Sequence, residues 1–242
     1  MKTWTRRDLT IIAVSEQHCL VIACDSCGAV GIKDWDVLKI PPRYAAKFTA
    51  RVALTEVMCS GALPTALTNG VACEMNPTGE QMILGIQDEL KNTGITDIIL
   101  TGSTEENFFT SMTALAITVI GIAKKSDLRF GQAVNDDKLV LFGVPSVGAE
   151  VDLDCAGFYT EISHLLSFPE VKEIVPVGSK GVAYEALTLA ALSGVSSKLY
   201  ETRIDYIKSA GPATCLLVLC GKSAVGKILE YHPAGIVIGE IQ

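Results

Sequence analysis

The chain has 242 residues, 49% of them apolar and 19% charged, a balance that belongs to a folded globular protein of one or two domains rather than to a disordered one. Twenty Lys and Arg stand against 27 Asp and Glu, a formal charge of −7, which argues against nucleic acid as a partner because its backbone demands clustered cations. Eight cysteines are too few for a disulfide scaffold.

At the N-terminus Arg6-Arg7 precedes a short apolar run, Leu9 to Val14, ended by Ser15-Glu16. The run is too short for a signal-peptide core and no A-x-A site follows it. No segment approaches the roughly 20 apolar residues of a membrane helix. A cytoplasmic protein with free thiols and no membrane partner is therefore expected.

Taken in chain order, Leu9–Val14 and His18–Cys24 read as two strands joined by a polar turn. The second runs into a small-residue loop, Asp25-Ser-Cys-Gly-Ala-Val-Gly31. A helix is predicted after Pro41-Pro42, with Tyr44, Phe48, Val52 and Glu56 four apart and Gly61 as its stop. Residues 66–74 read as a strand. Asn76-Pro77 reads as an N-cap with proline at the first helical position, opening a helix whose apolar face is Met82, Ile83, Ile86 and Leu90, stopped by Gly94. Residues 97–101 form a strand that delivers a polar loop, Gly102-Ser-Thr-Glu-Glu-Asn107, and residues 113–123 form another.

The charged stretch 124–138 marks the expected boundary between domains 1–124 and 125–242. Beyond it come a strand over 139–144 and an apolar helical stripe, Cys155, Phe158, Ile162, Leu165 and Leu166. A second helix is expected over about 180–193, a strand over 213–220, a short helix over 224–231 and a last strand over 235–241. Strands alternate with helices, but several come in adjacent pairs. The pattern predicts α+β layers with split βαβ units rather than a purely doubly wound sheet.

Five stretches invite a chemical reading. Gly221-Lys-Ser-Ala-Val-Gly-Lys227 fits G-x-x-x-x-G-K after an apolar strand, but Ile228 stands where a P-loop needs Ser or Thr, so a strand-to-helix turn is expected. Cys24-Asp-Ser-Cys27 has the spacing of a redox or half-zinc pair. There is no second C-x-x-C, and His18, His164 and His232 show no ligand spacing. Asp25 at a strand end, followed by Gly28, Gly31, Lys33, Asp34 and Asp36, suits Mg²⁺ and phosphate, though an ordinary turn with surface charges has the same composition. Thr101-Gly-Ser-Thr-Glu-Glu-Asn107 offers hydroxyls and carboxylates for the same chemistry, or a capped turn. Pro176–Glu185 and Lys208–Thr214 are polar, glycine-marked loops in which Ser179 could cap a helix that attracts an anion.

The order of these parts resembles the superfamily of AIR synthase, thiamine-monophosphate kinase and selenophosphate synthetase. The resemblance rests on Asp25-Ser-Cys-Gly-Ala-Val-Gly-Ile-Lys33, on Arg51-Val-Ala-Leu-Thr-Glu-Val-Met-Cys-Ser-Gly-Ala-Leu-Pro64 and on the helix after Asn76-Pro-Thr-Gly79. It also rests on Leu100-Thr-Gly-Ser-Thr-Glu-Glu-Asn107, on Thr113 to Gly121 and on the closing Gly235-Ile-Val-Ile-Gly-Glu240. The chain departs from the family where Gly-Asp-Asp would stand, having the single Asp25. It departs again at Gly102-Ser-Thr-Glu105 in place of Gly-Gly-Asp-Thr, and Glu56 stands where the family helix carries Asp. Within the superfamily the Gly-Ser-Thr-Glu-Glu-Asn, Val-Gly-Ser-Lys-Gly and Lys-Ser-Ala-Gly-Pro stretches look most like α-ribazole kinase, an enzyme of cobamide salvage.

The resemblance implies a two-domain α+β AIR synthase-like fold. An N-terminal mixed sheet would pair with that of a second subunit into a dimeric β-barrel, and a smaller C-terminal α/β domain would follow. It implies ATP and Mg²⁺ as cofactors and a nucleoside-like hydroxyl, α-ribazole first, as phosphoryl acceptor. Asp25 and Lys33 would be catalytic. Asp25, Glu56 and Glu105 would hold the metal, and Gly28, Gly31, Arg51, Thr101, Gly102, Ser103 and Thr104 the nucleotide. Ser179, Lys180, Tyr184, Glu185, Lys208 and Ser209 would form the acceptor side. Two alternatives stay open: another ATP-using member of the superfamily, of thiamine-monophosphate kinase, AIR synthase or selenophosphate synthetase type, the last favoured by a reactive Cys24 or Cys27, and a non-catalytic nucleotide-sensing dimer.

Overall fold

A computed structural model describes residues 2–130 and 132–242. The chain divides into two compact units, Met1–Val57 with Ala62–Lys125 and Asp152–Gly157, and Met58–Gly61 with Ser126–Val151 and Phe158–Gln242.

The first unit is built on a six-stranded sheet. Its elements in chain order are β1 (Thr3–Arg6), β2 (Leu9–Ala13), β3 (His18–Gly28), the short parallel pair β4 (Val30–Gly31) and β5 (Leu38–Lys39), α1 (Pro42–Cys59), β6 (Leu63–Val71), α2 (Glu80–Asn92), β7 (Ile99–Thr104) and β8 (Ala114–Lys124). The sheet order is β1-β2-β3-β8-β6-β7, and within it the β6–β7 pair is parallel while the others are antiparallel. Both edges are open, so no closed barrel exists among the described residues.

Alternation sets the two faces of this sheet. Leu9, Ile11, Cys19, Val21, Ala23, Leu67, Val71, Leu115, Ile117 and Val119 are buried on one. On the other, Ile12 lies opposite Leu20, Leu20 opposite Ile122, Ile22 opposite Ile120, and Ile122 opposite Leu63. These residues are only half-buried or exposed.

Helices α1 and α2 lie side by side because α2 carries Gly85 at the contact: a Cβ there would come within 1.9 Å of the Arg43 carbonyl oxygen. One turn on, the Arg51 guanidinium grips the Glu89 carboxylate with two bonds, Nε to Oε1 at 2.7 Å and Nη2 to Oε2 at 3.1 Å. Both side chains are buried, at 2% and 0% exposure. Arg51 also donates to the Cys155 carbonyl at 2.9 Å and sits over the Phe48 ring. Lys47 donates to the Leu153 carbonyl at 3.0 Å. Segment 152–157 thus returns to the first unit along α1.

The second unit has a five-stranded sheet. Its elements are β9 (Lys138–Gly143), α3 (Tyr159–Leu166), β10 (Val171–Pro176), α4 (Gly181–Leu192), β11 (Ser197–Leu199), β12 (Cys215–Cys220), α5 (Val225–Tyr231) and β13 (Ile236–Ile241). In the order β10-β12-β9-β13-β11 every neighbour pair is antiparallel. The expected C-terminal α/β domain is therefore corrected to α+β. Strand β12 is buried at all six positions, which is why its sequence reads as an unbroken apolar run. Val182, Ala186 and Leu189 of α4 pack with Leu139, Leu141, Leu217 and Leu219 on one face. On the other, His232, just after α5, meets the Phe142 ring edge-on.

Several boundaries move. Strand β3 continues through Gly28, so Asp25 lies inside a strand and not at its end. Gly102 to Thr104 belong to β7, paired with β6, rather than to a loop. Asn76-Pro77 does not cap a helix: residues 75–79 form a separate wide turn with Asn76 in a non-helical conformation, and α2 begins at Glu80. Gly61, Gly94 and Gly194 do end helices, each with positive φ.

The buried Arg51–Glu89 pair gives a direct test. Arg51→Met alone leaves a buried carboxylate unpaired and is expected to lower unfolding stability by about 3–5 kcal/mol, measured by urea denaturation. The double change Arg51→Met with Glu89→Leu should recover most of that loss, because an apolar pair of similar volume needs no charge partner.

Candidate functional site

Strand pairing lines up residues 25, 117, 69 and 102 across four strands. Asp25, Asn69 and Gly102 therefore share the helix-side face of the first unit's sheet. Asn69 donates to the Thr101 carbonyl at 3.0 Å, and a Cβ on residue 102 would sit 2.5 Å from the Asn69 side chain. Gly102 is thus required by this packing. Beside it a cleft of about 420 Å³ is lined by Asn69, Met75, Ile83 and Leu100 to Thr104. Thr101, Gly102, Ser103 and Thr104 are brought together there. Thr104 is turned to Glu106, its hydroxyl donating at 2.8 Å.

Asp25 is half-buried, and no side-chain donor or cation partners it among the described residues. Burial pushes its carboxyl up to about 6, against the smaller opposing effect of the Ser26 backbone N–H. Cys27 shares its face. Burial raises that thiol most, the Thr49 hydroxyl opposes, and the negative charges of Asp25 and Asp36 raise it further. Cys24 lies on the opposite, exposed side of β3. The C-x-x-C spacing therefore points its two thiols to different faces, and both are free.

Asp36 is a residue that composition presents as a surface charge and that the structure buries, at 5% exposure. It accepts the Lys33 N–H at 2.8 Å, the Thr113 N–H at 2.7 Å and the Thr113 hydroxyl at 2.7 Å. Burial works against its ionisation, yet these bonds and the Lys39 charge hold it below the usual carboxylate range. Gly31 packs onto this knot: a Cβ there would meet Thr113 Oγ1 at 2.2 Å and Asp36 Oδ2 at 2.6 Å. Its glycine is set by packing, whereas the space around Gly28 is open. Lys33 reaches Glu74 Oε2 at 2.6 Å. Burial alone would raise Glu74, but Lys33 and the Thr78 hydroxyl hold it below its ordinary value. The sequence shows no sign of a role for Glu74 and presents Asp36 only as one of the charges that follow Asp25. Their partners lie 41 and 77 residues away, and no local pattern announces them.

Three expected ligands sit elsewhere. Arg51 is consumed by Glu89, as described. Glu56 faces Arg7 at 3.5 Å. Glu105 turns Oε1 to the N–H groups of Asn107 and Phe108, at 2.7 and 3.2 Å. Among the described residues no three His, Cys, Asp or Glu side chains converge as a metal cage, so Asp25, Glu56 and Glu105 do not form a ready-made triad. His164 and His232 do meet, Nδ1 to Nε2 at 2.8 Å, with no third ligand.

In the second unit the acceptor-side residues are laced together. The Ala210 N–H donates to the Gly178 carbonyl at 3.1 Å, and the Ala183 N–H to the Tyr206 carbonyl at 2.9 Å. Lys180 lies over the Tyr184 ring, 4.2 Å from its centroid. Lys208 pairs with Glu150 at 2.6 Å, and the Ser209 hydroxyl accepts the Gly211 N–H at 3.4 Å. Ser179 and Glu185 lie on the same loop and first helical turn as Lys180. Gly221–Lys227 forms a tight turn running into α5.

The raised carboxyl of Asp25 has a sign that can be worked out. The folded state favours the neutral form. That contribution to stability is complete below the unfolded value near 3.8 and is lost as pH rises through about 6. Asp25→Asn should therefore match the parent at pH 4. At pH 8 it should be more stable by about 2 kcal/mol, after allowance for partial solvation. Thermal and urea unfolding at the two pH values check this; equal stability at pH 8 would remove the burial penalty from Asp25.

Residues 6–123 match the family model described as AIR synthase related protein, N-terminal domain. No curated protein matches the chain in sequence. Among solved structures, T. maritima PurL complexed with ATP superposes with a TM-score of 0.76 at 14% identity, covering 96% of this chain and 41% of that one. The ADP complex of the same protein gives 0.76 at 16% identity, covering 99% and 42%. E. coli HypE, a hydrogenase maturation protein, gives 0.69 at 18% identity, covering 92% and 79%. The chain spans about two fifths of the length of the PurL chains it matches. No helix among the described residues is long and apolar enough to cross a membrane. Residues 6–123 thus resemble an AIR synthase-related N-terminal domain, and the chain as a whole shares the fold of PurL and HypE.

Proposed function

We propose that the protein is an ATP- and Mg²⁺-dependent kinase that phosphorylates a hydroxyl of a nucleoside-like acceptor, with α-ribazole as the first candidate. The observation that carries this reading is Asp25, a half-buried carboxylate without a cation, lifted to about 6, within an AIR synthase-related domain. T. maritima PurL, whose fold the chain shares, is solved with ATP, AMPPCP and ADP, which supports a nucleotide as the ligand.

Mg²⁺ is commonly held by one or two carboxylates together with substrate phosphates. Asp25 fits that role without a preformed cage. Lys33, held in place by Glu74, would supply the cation for the phosphates. The open space at Gly28 admits them closely, and the β7 segment Thr101 to Thr104 is assigned to the nucleotide through the cleft that it lines. In the reaction the acceptor oxygen attacks the γ-phosphorus and the bond to the bridging β–γ oxygen breaks. ADP leaves and the hydroxyl proton passes to solvent. A loose transition state needs positioning and charge neutralisation more than a strong base. Ser179, Lys180, Tyr184, Glu185, Lys208 and Ser209 are assigned to the acceptor.

ADP release screened against α-ribazole, thiamine monophosphate and selenide tests the assignment. Stimulation by α-ribazole, with a product heavier by one phosphoryl group, is expected. Asp25→Asn should lower kcat/KM about 100-fold or more, and Lys180→Ala should raise the acceptor KM. Stimulation by selenide or thiamine monophosphate instead would move the protein to another activity of the superfamily. ATP binding with no acceptor-dependent ADP release would make it a nucleotide-sensing protein.

The same reading includes a homodimer in the cytoplasm. Its support is the uncovered sheet face, on which Leu20, Ile22, Ile120 and Ile122 lie in adjacent rows. In isolated monomers an apolar patch of this kind is a liability. Sedimentation should give a dimer that Ile22→Lys with Ile122→Lys converts to a folded monomer; a monomeric parent protein would remove the dimer.

A further inference from the structure

Two loops of the first unit leave large apolar side chains in water. Trp35 is 69% exposed, Phe108 78% and Phe109 89%, with Ile32, Val37 and Met112 also exposed. Each aromatic side chain carries some 150–250 Å² that a fold ordinarily hides. These loops are nonetheless tied in place. Buried Asp36 binds the Lys33 N–H of one loop and both the N–H and hydroxyl of Thr113 at the end of the other. The Trp35 N–H donates to the Ser111 carbonyl at 3.1 Å. The aromatic side chains are thus presented from two segments held by one carboxylate.

Polar groups stand among them. The Lys33 ammonium lies 5.6 Å from the centre of the Phe109 ring and 2.6 Å from Glu74 Oε2. Asp25 and Asp36 both act on the Cys27 thiol, so the loop anchor and the carboxylate assigned to Mg²⁺ lie at the same end of the sheet. Exposed aromatic side chains are what binding surfaces are enriched in, and the Lys33–Glu74 pair sets charge beside these.

We propose that Trp35 and Phe109 form a stacking platform for a planar aromatic ring, the base of a nucleoside or nucleotide, with Lys33 beside it. Stacking on aromatic side chains is tolerant of which base is present, and the platform is fixed by Asp36 before the ligand arrives. The proposal takes its choice of a nucleoside from the kinase reading, and the two fail separately in the following experiment.

In the full chain carrying Trp4→Phe, Trp35 is the single tryptophan. Its emission is titrated with adenosine, with α-ribazole, with ATP and Mg²⁺, and with inorganic tripolyphosphate. Quenching by ring-bearing ligands and not by tripolyphosphate is expected, and Phe109→Ser should weaken the quenching ligand about tenfold or more. The unfolding midpoint should stay unchanged, since that side chain is already in water. Quenching by ATP alone assigns the platform to the nucleotide's base, and quenching by the nucleosides assigns it to the acceptor; both support it. Three results overturn it. The first is no quenching by any ring while calorimetry detects ATP binding, the second is equal quenching by tripolyphosphate, and the third is a Phe109→Ser protein with altered sedimentation and unaltered ligand affinity. A platform that binds α-ribazole without ADP release would leave the stacking site standing and remove the kinase.

Discussion

The first unit depends on one buried ion pair. Arg51 and Glu89 lie on different helices, 38 residues apart, and both are removed from water. Two charges in that position are tolerable only when every lone pair and proton is answered. Here they are: two bonds join them, Arg51 reaches the Cys155 carbonyl, and Asn92 donates to Glu89 at 3.2 Å. The pair fixes α2 against α1 at a distance that Gly85 alone permits. The face that α1 and α2 present to the sheet is thereby fixed too, and with it the surroundings of Asp25, Cys27 and Asn69.

The sheet then distributes chemistry by parity. Because side chains alternate, neighbours in sequence serve opposite faces. Asp25 and Cys27 look toward the helices while Cys24 and Ser26 look away. The outward face is itself divided along its length. Ile22, Ile120, Ile122 and Leu63 make one half apolar, and Cys24, Thr118, Thr68 and Thr101 cross the other half as a row of small polar groups. A single slip of register in β3 would exchange the two sets and bury the apolar half where the carboxylate belongs.

What the sequence discloses follows from the range of each interaction. Helices stopped by Gly61, Gly94 and Gly194 are legible because the stop is local. The apolar run of β12 is legible because burial on both faces leaves it without alternation. β10 is not legible: Lys172, Glu173 and Pro176 interrupt its pattern, and Glu173 is buried in spite of its charge. Glu89 carried a readable signal, falling seven residues after Met82 and three after Ile86 on the apolar side of α2, where a charge is out of place. Asp25 stood out as a carboxylate leaving an apolar strand. Asp36 and Glu74 did not, since their meaning lies in Thr113 and Lys33, which only the folded chain brings to them. Arg51 and Glu56 were legible as charged helix residues but not as a neutralised anchor and the partner of Arg7.

The net charge of −7 is unevenly answered in the first unit. Asp36 has three hydrogen bonds, Glu74 has Lys33 and Thr78, Glu89 has Arg51, and Glu56 has Arg7. Asp25 has burial and a single backbone N–H. Desolvation without compensation favours the proton, and that is the direction in which Asp25 moves. A divalent cation reverses the preference, because the ion's own charge outweighs the local desolvation of one carboxylate. Metal and proton would then compete for the same oxygen atoms, and a metal bound there would release the proton. The group that destabilises the empty fold above pH 6 is thus the one that a bound cation would stabilise, and the folded state would gain by linkage what it loses by burial.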